Sequence, residues 1–388
     1  MSLVVLATVP TEAVLDGLLP AAHHLDLPVV LLTDSPDAWP SVDADVRGCD
    51  VHDPRSVLDL VTQGQRPDAV FSNSDHLQVP TALAAEYLDL PGTDWRAALR
   101  GKDKALMRRA LADDGLDTVW ARSLTPGEPL PADLPLPAVV KPRSGVASED
   151  VYLAVTAGEV AARVAEVATR RGGAPVLVEE YLDGPLHTLE TLGDGQRLRV
   201  LGGFRTTLSA PPTFVEERLD WRPDLPADIQ KQVLDQVTAL GVGFGACHTE
   251  FILTGGRARL VEVNYRMIGD SCEFLLADLL GEPLFEQVLR VHLGEPLPDT
   301  GAPPSGHARV DYPCADRSGV LVEAPDRMDL DGPVRLSYRS MRAIGERRDL
   351  TGTNRDYLGV VRAVGPDREA VGHAIEQFLA EQTWRVTA

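Results

Sequence analysis

A β-hairpin predicted between His248 and Asp270 constrains this chain more than any other segment. Two apolar runs flank a Thr-Gly-Gly turn, which is the pattern of two strands joined by a tight connection. If the strands pair symmetrically about Gly256, Glu250 lies directly opposite Glu262, with the two Cβ atoms roughly 5 Å apart. Like charges so placed destabilise a sheet, so the pair indicates that a divalent cation lies between them.

Further ligands for such a cation follow from the alternation of side chains along a strand. Asn264 shares the face of Glu262, so Glu250, Glu262 and Asn264 form a set of oxygen donors that suits Mg²⁺. Arg266 is two residues further along that face, where it is able to meet a phosphoryl group. Leu260 is expected on the same face. The alternative is a solvated hairpin face that carries two unrelated glutamates.

Lysine is rare in this chain, which contains only Lys102, Lys104, Lys141 and Lys231, while arginine supplies nearly all other positive charge. A composition that uses arginine wherever any cation suffices marks the remaining lysines as candidates for a compact point charge. Lys141 ends an apolar strand, and the small-residue loop 144–148 that follows has N–H groups able to cradle phosphate oxygens. The alternative is surface lysines near an ordinary turn.

The balance of charge limits the partners of this chain. Among 388 residues there are 37 basic and 58 acidic side chains, and a formal net charge of −21 argues against nucleic acids and anionic membranes. Four widely spaced cysteines without a CxxC pair indicate reduced thiols and a cytoplasmic location. No apolar run approaches the ~20 residues of a membrane helix, and the N-terminus predicts a strand rather than a signal peptide.

Alternating short strands and helices over residues 1–100 predict a parallel sheet with helices on both faces. No GxGxxG motif follows the first strand, so a dehydrogenase-type dinucleotide fold lacks its main support. The predicted strands are residues 3–9, 28–33, 44–49 and 68–72, and the predicted helices lie near residues 11–25, 55–63 and 77–87.

Three further units are predicted after residue 100. Residues 101–178 contain a helix that starts at Lys104 and the Lys141 strand, residues 179–300 contain the hairpin, and residues 301–388 predict a small α/β cap. A Pro/Gly-rich linker at 296–305 separates the last two units. Three arginines of the cap are candidates to reach a substrate carboxylate: Arg309, Arg339 and Arg342.

The order of these features along the chain resembles that of a known superfamily. A lysine helix, a strand–lysine–small-residue loop, a Glu-Glu-Tyr-Leu segment at 179–182 and the Glu-Glu-Asn-Arg set of the hairpin follow one another. This order resembles the ATP-grasp superfamily over roughly residues 1–295, and in particular its carboxylate–amine ligases of the amino acid type, which are related to biotin carboxylase-like enzymes. The resemblance implies a doubly wound parallel α/β domain, two α+β subdomains that grip ATP and a small C-terminal α/β cap.

The resemblance also implies roles for individual residues. Arg266, Glu262 and Lys141 would be catalytic, and Lys104, which fits the pattern better than Lys102, would bind phosphate together with Lys141. Two Mg²⁺ ions, or Mn²⁺ in their place, would bind Glu250, Glu262 and Asn264. The other implied ATP-binding residues are Ser144, Gly145 and Ser148 of a lid over the phosphates, Glu179, Glu180, Tyr181 and Leu182 around adenine, and either His187 or Glu190.

Some positions depart from the pattern of the superfamily. Leu186 stands where many relatives carry glutamate, which affects the ribose contacts. Tyr265 stands where proline or threonine is usual. Glu149 and Asp150 place acids in the lid, where they either weaken nucleotide binding or face solvent.

The implied reaction joins a small-molecule carboxylate to an amine through an acyl-phosphate, with release of ADP and phosphate. A homodimer is left open. One rival is a carboxylase that activates bicarbonate, but the loop 205–218 lacks the lysine expected beside a biotin-type acceptor. A second rival is a non-catalytic ATP-binding protein, which has little need for a complete Glu-Glu-Asn-Arg set.

Overall fold

The computed structural model describes residues 1–39, 41–117, 119–299 and 306–388, so six of the ten residues of the predicted linker 296–305 lie outside the described residues. None of the described helices is both long and apolar enough to cross a membrane.

The strands are β1 (Leu3–Leu6), β2 (Val29–Thr33), β3 (Asp45–Gly48), β4 (Ala69–Phe71), β5 (Ala121–Leu124), β6 (Ala138–Pro142), β7 (Tyr152–Ala154), β8 (Val176–Glu180), β9 (Leu186–Asp194), β10 (Leu198–Gly202), β11 (Phe204–Leu208), β12 (Glu216–Trp221), β13 (Phe244–Thr254), β14 (Arg257–Asn264), β15 (His307–Asp311), β16 (Gly319–Glu323), β17 (Met328–Leu330), β18 (Arg335–Ser340), β19 (Arg347–Arg348), β20 (Gly359–Gly365) and β21 (Arg385–Thr387). The helices are α1 (Leu19–His24, preceded by a π-helical turn, Ala13–Leu18), α2 (Pro54–Val61), α3 (Gln78–Tyr87), α4 (Trp95–Lys102), α5 (Lys104–Asp113), α6 (Ala157–Arg170), α7 (Ala227–Ala239), α8 (Cys272–Leu280), α9 (Leu284–His292) and α10 (Arg368–Glu381).

The N-terminal unit is the predicted doubly wound parallel sheet, with strand order β3-β2-β1-β4. Its central strand β1 is apolar on both sides. Leu3 and Val5 pack among the residues of α1 and α9, whereas Val4 and Leu6 pack among those of α2 and α3. A strand that is buried on both faces explains why its sequence is a continuous apolar run.

A four-stranded antiparallel sheet, β5-β8-β6-β7, carries Lys141 at the end of β6 and the Glu-Glu pair at the end of β8. Helix α6 packs on this sheet through a valine stripe. Helix α5 starts at Lys104, as predicted, because the Asp103 side chain accepts hydrogen bonds from the N–H groups of Ala105 (2.9 Å) and Leu106 (3.2 Å).

The largest sheet has ten strands, in the order β14-β13-β9-β11-β12-β15-β20-β18-β17, with β10 paired to β9. It continues across the predicted boundary at residue 300, because β12 pairs with β15 through Arg218 and Asp311. A three-stranded sheet, β19-β16-β21, completes the C-terminal part. The division of the chain into four domains stays a prediction.

The hairpin is formed by β13 and β14, and Glu250 pairs with Glu262 as predicted. The turn is Gly255-Gly256, with φ values of +57° and +73° that glycine adopts readily. A bulge next to Phe251 then shifts the register by one residue. The expectation that Leu260 shares the face of Glu262 is wrong, because the bulge lets Leu260 pack in the core beside Phe251.

Candidate active site

A cavity of about 380 Å³ lies between the Lys141 sheet, the hairpin and the C-terminal strands. This volume is in the range of small-molecule sites. Most of the predicted site residues meet on its wall, although they come from four separate segments of the chain. They are Lys104, Lys141, Gly145, Ser148, Glu179, Glu180, Tyr181, Leu182, Glu250, Glu262, Asn264 and Arg266.

Each glutamate of the hairpin pair has a cationic partner of its own. Lys104 Nζ lies 2.9 Å from Glu262 Oε1, and His248 Nε2 lies 3.4 Å from Glu250 Oε1. Burial opposes ionisation of Glu250, but the hydrogen bond to His248 and nearby positive charges hold its pKa below the usual value. Burial likewise disfavours the charge on Lys104, yet Glu262 raises the pKa of Lys104 above its usual value. Glu250 is therefore kept ionised, and Glu262 is paired with a charged lysine.

The donor atoms of the pair and its neighbour fit a hard divalent cation. Glu250 and Glu262 supply carboxylate oxygens, and the buried Asn264 supplies an amide oxygen next to them on β14. Within the described residues, no group of three or more His, Cys, Asp or Glu is arranged to hold a metal ion. A site at the hairpin therefore depends on the amide of Asn264 as its third ligand.

Arg266 follows the hairpin and is supported by the N-terminal sheet. Its Nη1 donates to the carbonyl of Met267 at 2.6 Å. Asn73, at the carboxyl end of β4, accepts from the N–H of Met267 at 3.1 Å and donates to Glu273 at 3.1 Å. The edge of the parallel sheet, where open α/β folds hold ligands, thus fixes the backbone beside Arg266.

Lys141 belongs to a buried network that the sequence did not reveal. Its Nζ lies 2.6 Å from Glu179 Oε2, and Arg108 reaches the same carboxylate at 2.7 Å and 3.2 Å. Burial alone would raise the pKa of Glu179, but the charges of Arg108 and Lys141 lower it to about 2. Burial lowers the pKa of Lys141, and the positive charges of Arg108 and Lys104 lower it further, whereas Glu179 acts in the opposite direction. The side chain of Glu179 thus holds Lys141 in place on the cavity wall.

The adjoining segment ends β8 and lines the cavity with mixed chemistry. The carboxylate of Glu180 accepts from the N–H of Trp120 at 2.9 Å, and the N–H of Tyr181 donates to Pro137 at 3.1 Å. Apolar side chains on the same wall are Val139, Leu182, Leu186, Leu219 and Ile252. An apolar slot of this kind suits a planar heterocycle.

The lid loop is closed over the cavity. Gly145 and Ser148 line the cavity, whereas Ser144 does not belong to its lining. Ser148 Oγ donates to the carbonyl of Phe214 at 2.8 Å. The lid acids Glu149 and Asp150 are bound by arginines rather than left in solvent, in the ion pairs Asp150–Arg170, Asp150–Arg171 and Glu149–Arg355.

Neither of the two alternatives for ATP binding on β9, His187 and Glu190, lines the cavity directly. Glu190 is buried on β9, the strand next to the hairpin, where its Oε1 lies 2.8 Å from Nδ1 of His248. His187 stacks on Phe251 in the core, and burial followed by the charges of nearby arginines lowers its pKa to about 4. Side chains alternate along β9, so Leu186 faces the cavity in place of His187.

The expectation for the three cap arginines is wrong, because each is held elsewhere. Arg309 pairs with Asp311 at 2.5 Å, Arg339 pairs with Glu12 at 2.7 Å, and Arg342 donates to the carbonyl of Gly319. The C-terminal side chains on the cavity wall are instead Tyr312, Met341, Asn354, Arg355 and Tyr357.

A signal for some missed residues was present in the composition. Asparagine is rarer than lysine: the chain contains only Asn73, Asn264 and Asn354. Asn73 supports the backbone beside Arg266, and the other two line the cavity. The argument applied to lysine, that a rare residue is retained where its chemistry is needed, would have found them. His248 and Arg108 had no comparable signal.

Known proteins match the chain over most of its length. No protein-family model matches it. A D-alanine–D-alanine ligase from Methylibium petroleiphilum is 30% identical over 246 residues, covering 56% of this chain and 76% of that protein. The chain belongs to the ATP-grasp superfamily. Within it, the chain groups with the ADP-forming carboxylate–amine ligases.

Two further comparisons extend this assignment. Carnosine synthase 1 from Gallus gallus is 29% identical over 322 residues, covering 74% of this chain, which spans about a third (34%) of that protein. The solved L-amino acid ligase from Bacillus licheniformis superposes with a TM-score of 0.79 at 22% identity, covering 100% of this chain and 99% of that one. The predicted ATP-grasp fold is thus confirmed over the whole chain.

Proposed function

We propose that this ATP-grasp enzyme joins a small carboxylic acid to an amine and releases ADP and phosphate. One observation carries the proposal: the paired Glu250 and Glu262, with Arg266 beside them, share one cavity with Lys104 and Lys141. The cavity thus combines groups for phosphate with groups for a cation. We also propose that the enzyme works in the cytoplasm, while a homodimer stays a prediction.

The proposed roles follow from these positions. Lys104 and Lys141 bind the phosphates of ATP, and the segment Glu179–Leu182 holds adenine. Two Mg²⁺ ions, or Mn²⁺, held by Glu250, Glu262 and Asn264 would offset the negative charge of the β- and γ-phosphates. The substrate carboxylate attacks the γ-phosphorus and ADP leaves. The amine then attacks the acyl carbon, and phosphate leaves while Arg266 binds its oxygens.

Two further acids of the cavity lining favour a substrate with a positive amino group. They are Glu216 and Asp270, and no described lysine, arginine or histidine forms an ion pair with either. The rings of Tyr312 and Tyr357, which also line the cavity, stack 4.2 Å apart. Carboxylates beside aromatic rings bind ammonium groups through charge and cation–π attraction. We therefore propose amino acids as the substrate class.

Nucleotide turnover tests the proposal most directly. The enzyme would be incubated with Mg-ATP and pools of amino acids, other carboxylates and amines, with ADP and AMP quantified separately. We expect ADP release that depends on both an acid and an amine, and splitting the active pool would identify the pair. Release of AMP would contradict the acyl-phosphate route. ADP release that needs only bicarbonate and one acceptor would favour a carboxylase instead.

A further inference from the structure

The segment Thr351–Tyr357, which we call the latch, contacts both the lid and the cavity wall. The backbone N–H of Asn354 donates to the carbonyl of Ala147 in the lid at 3.0 Å. The side chain of Asn354 clamps Glu216 at two points: Nδ2 donates to Oε1 at 3.1 Å, and Oδ1 accepts from the N–H of Glu216 at 3.1 Å. One residue therefore joins two walls of the site.

Hydrogen bonds within the latch fix its conformation without a ligand. The buried carboxylate of Asp356 accepts from the N–H groups of Thr351 (3.0 Å), Gly352 (2.6 Å) and Thr353 (3.2 Å). Several charge-assisted hydrogen bonds to one carboxylate fix the turn that presents Asn354. Tyr357, at the end of the latch, donates its hydroxyl to the carbonyl of Glu216 at 2.9 Å. The latch and Glu216 thus form one hydrogen-bonded unit.

An asparagine is the residue that suits this position. Its amide offers one donor and one acceptor at a fixed spacing, which matches the carboxylate oxygen and the N–H of Glu216. An aspartate would instead place a second negative charge against the carboxylate. Among the described residues, Oε2 of Glu216 has no hydrogen-bond partner, so the clamp leaves one oxygen of this cavity-lining carboxylate unused.

We infer that Asn354 is a positioning residue that couples lid closure to substrate recognition. Its backbone holds the closed lid, and its side chain orients Glu216 for the amino group of the substrate. The part that concerns the substrate rests on the proposed function, whereas the part that concerns the lid does not. Binding on one side of Asn354 is then expected to favour order on the other.

Two variants separate the two halves of this coupling. Asn354→Ala removes both side-chain hydrogen bonds to Glu216 but keeps the N–H that reaches the lid. Asn354→Pro removes the N–H as well. Proline is tolerated here because Asn354 begins a helical turn and Thr353 before it is extended, with φ −131° and ψ 173°. Gln377→Ala, which removes an exposed amide on α10, is the matched control.

The lid is tested without any substrate except Mg-ATP. Amide hydrogen exchange of residues 144–150 should be about tenfold faster in Asn354→Pro and within about twofold of the parent in Asn354→Ala and Gln377→Ala. Calorimetry should show weaker Mg-ATP binding only in Asn354→Pro. Equal exchange in the two Asn354 variants would overturn the role of the backbone bond.

The substrate side is tested by steady-state kinetics with the acid–amine pair found above. Asn354→Ala should raise the KM of the amino substrate about tenfold and leave the KM of Mg-ATP within about twofold. In a Glu216→Ala background the same change should have no further effect, because Asn354 acts through Glu216. Additive effects would overturn the coupling. If no acid–amine pair turns over, the ligase proposal fails while the exchange data still decide the lid.

Discussion

The two carboxylate groups of the cavity differ in how their charge is balanced. On the Lys141 side, Glu179 and Glu262 each lie within 2.9 Å of a lysine nitrogen. On the tyrosine side, Glu216 and Asp270 have no such partner among the described residues, and burial together with neighbouring acids raises the pKa of Glu216 to about 8. The Lys141 side is arranged to bind anionic groups such as phosphates. The tyrosine side is arranged to bind a ligand that carries a positive charge.

The largest expected effect comes from the hairpin pair. Glu262→Gln removes one of the two opposed carboxylates and the partner of Lys104, so turnover should fall by about a hundredfold or more. ADP release at saturating Mg-ATP measures this, and circular dichroism checks the fold. Glu217→Gln, an exposed neighbour of Glu216, is the control. A variant that keeps parental turnover would show that the pair has no part in catalysis.

This hairpin was predictable because its determinants are local. The Gly-Gly turn and the alternation of side chains fall within 23 residues, and they correctly indicated that Glu250 faces Glu262. The bulge that gives this register was not predictable, since it depends on how Phe251 and Leu260 fill the core.

Contacts between residues that are far apart in the chain could not be predicted from the sequence. Arg108 meets Glu179 across 71 residues, and Asn354 meets Glu216 across 138. No periodicity links such residues, because the fold alone brings them together. Rarity of a residue type was the one signal that reached across these distances. It pointed to the lysines, and it would have pointed to the asparagines had it been applied to them.

Glu179→Gln should sharpen the contrast between the two sides by lowering stability. It leaves Lys141 buried without its counter-charge and leaves Arg108 with Asp117 alone, which costs about 3 kcal/mol in the free energy of unfolding. Because the folded-state pKa of Glu179 is about 2, below its unfolded value, this contribution is present above pH ~4.5 and is lost as the pH falls towards 2. Urea unfolding of parent and variant at pH 7 and pH 4 measures it. A difference that grows on acidification would contradict this assignment.

The two neighbouring lysines test how specific the phosphate side is. Lys104→Met should weaken Mg-ATP binding by about tenfold or more, since a charge-assisted contact is lost. Lys102→Met should change it by less than about threefold, because Lys102 pairs with Asp75 and does not line the cavity. Calorimetric titration of both variants gives the comparison. Equal losses would mean that the overall positive charge, rather than its placement, holds the nucleotide.

Glu216→Gln should change the stability of the protein in the opposite direction to Glu179→Gln. The folded-state pKa of Glu216 is about 8, above its unfolded value, so ionisation of the unfolded chain at pH 7.5 opposes folding. Glutamine lacks this effect and should stabilise the protein by roughly 1 kcal/mol at pH 7.5, or about 2 °C in Tm. The KM of the amino substrate should rise at the same time. A gain in stability with a loss of substrate affinity is the signature of a residue retained for function. If Tm falls instead, an undetected cation already balances Glu216.

The smallest effect is expected at the lid surface. Arg355 Nε lies 2.7 Å from Glu149 Oε1, but the two side chains are 57% and 32% exposed, so the pair is worth at most ~1 kcal/mol. Arg355→Ala should therefore raise the KM of Mg-ATP by less than about threefold, and 0.5 M NaCl should remove the difference, because salt screens exposed charges. A larger or salt-independent effect would mean that Arg355, which also lines the cavity, touches the nucleotide or the substrate. The cavity would then contain a third kind of carboxylate besides the paired and the unpaired ones. Glu149 would be neutralised by Arg355 only until a ligand binds and takes over the arginine.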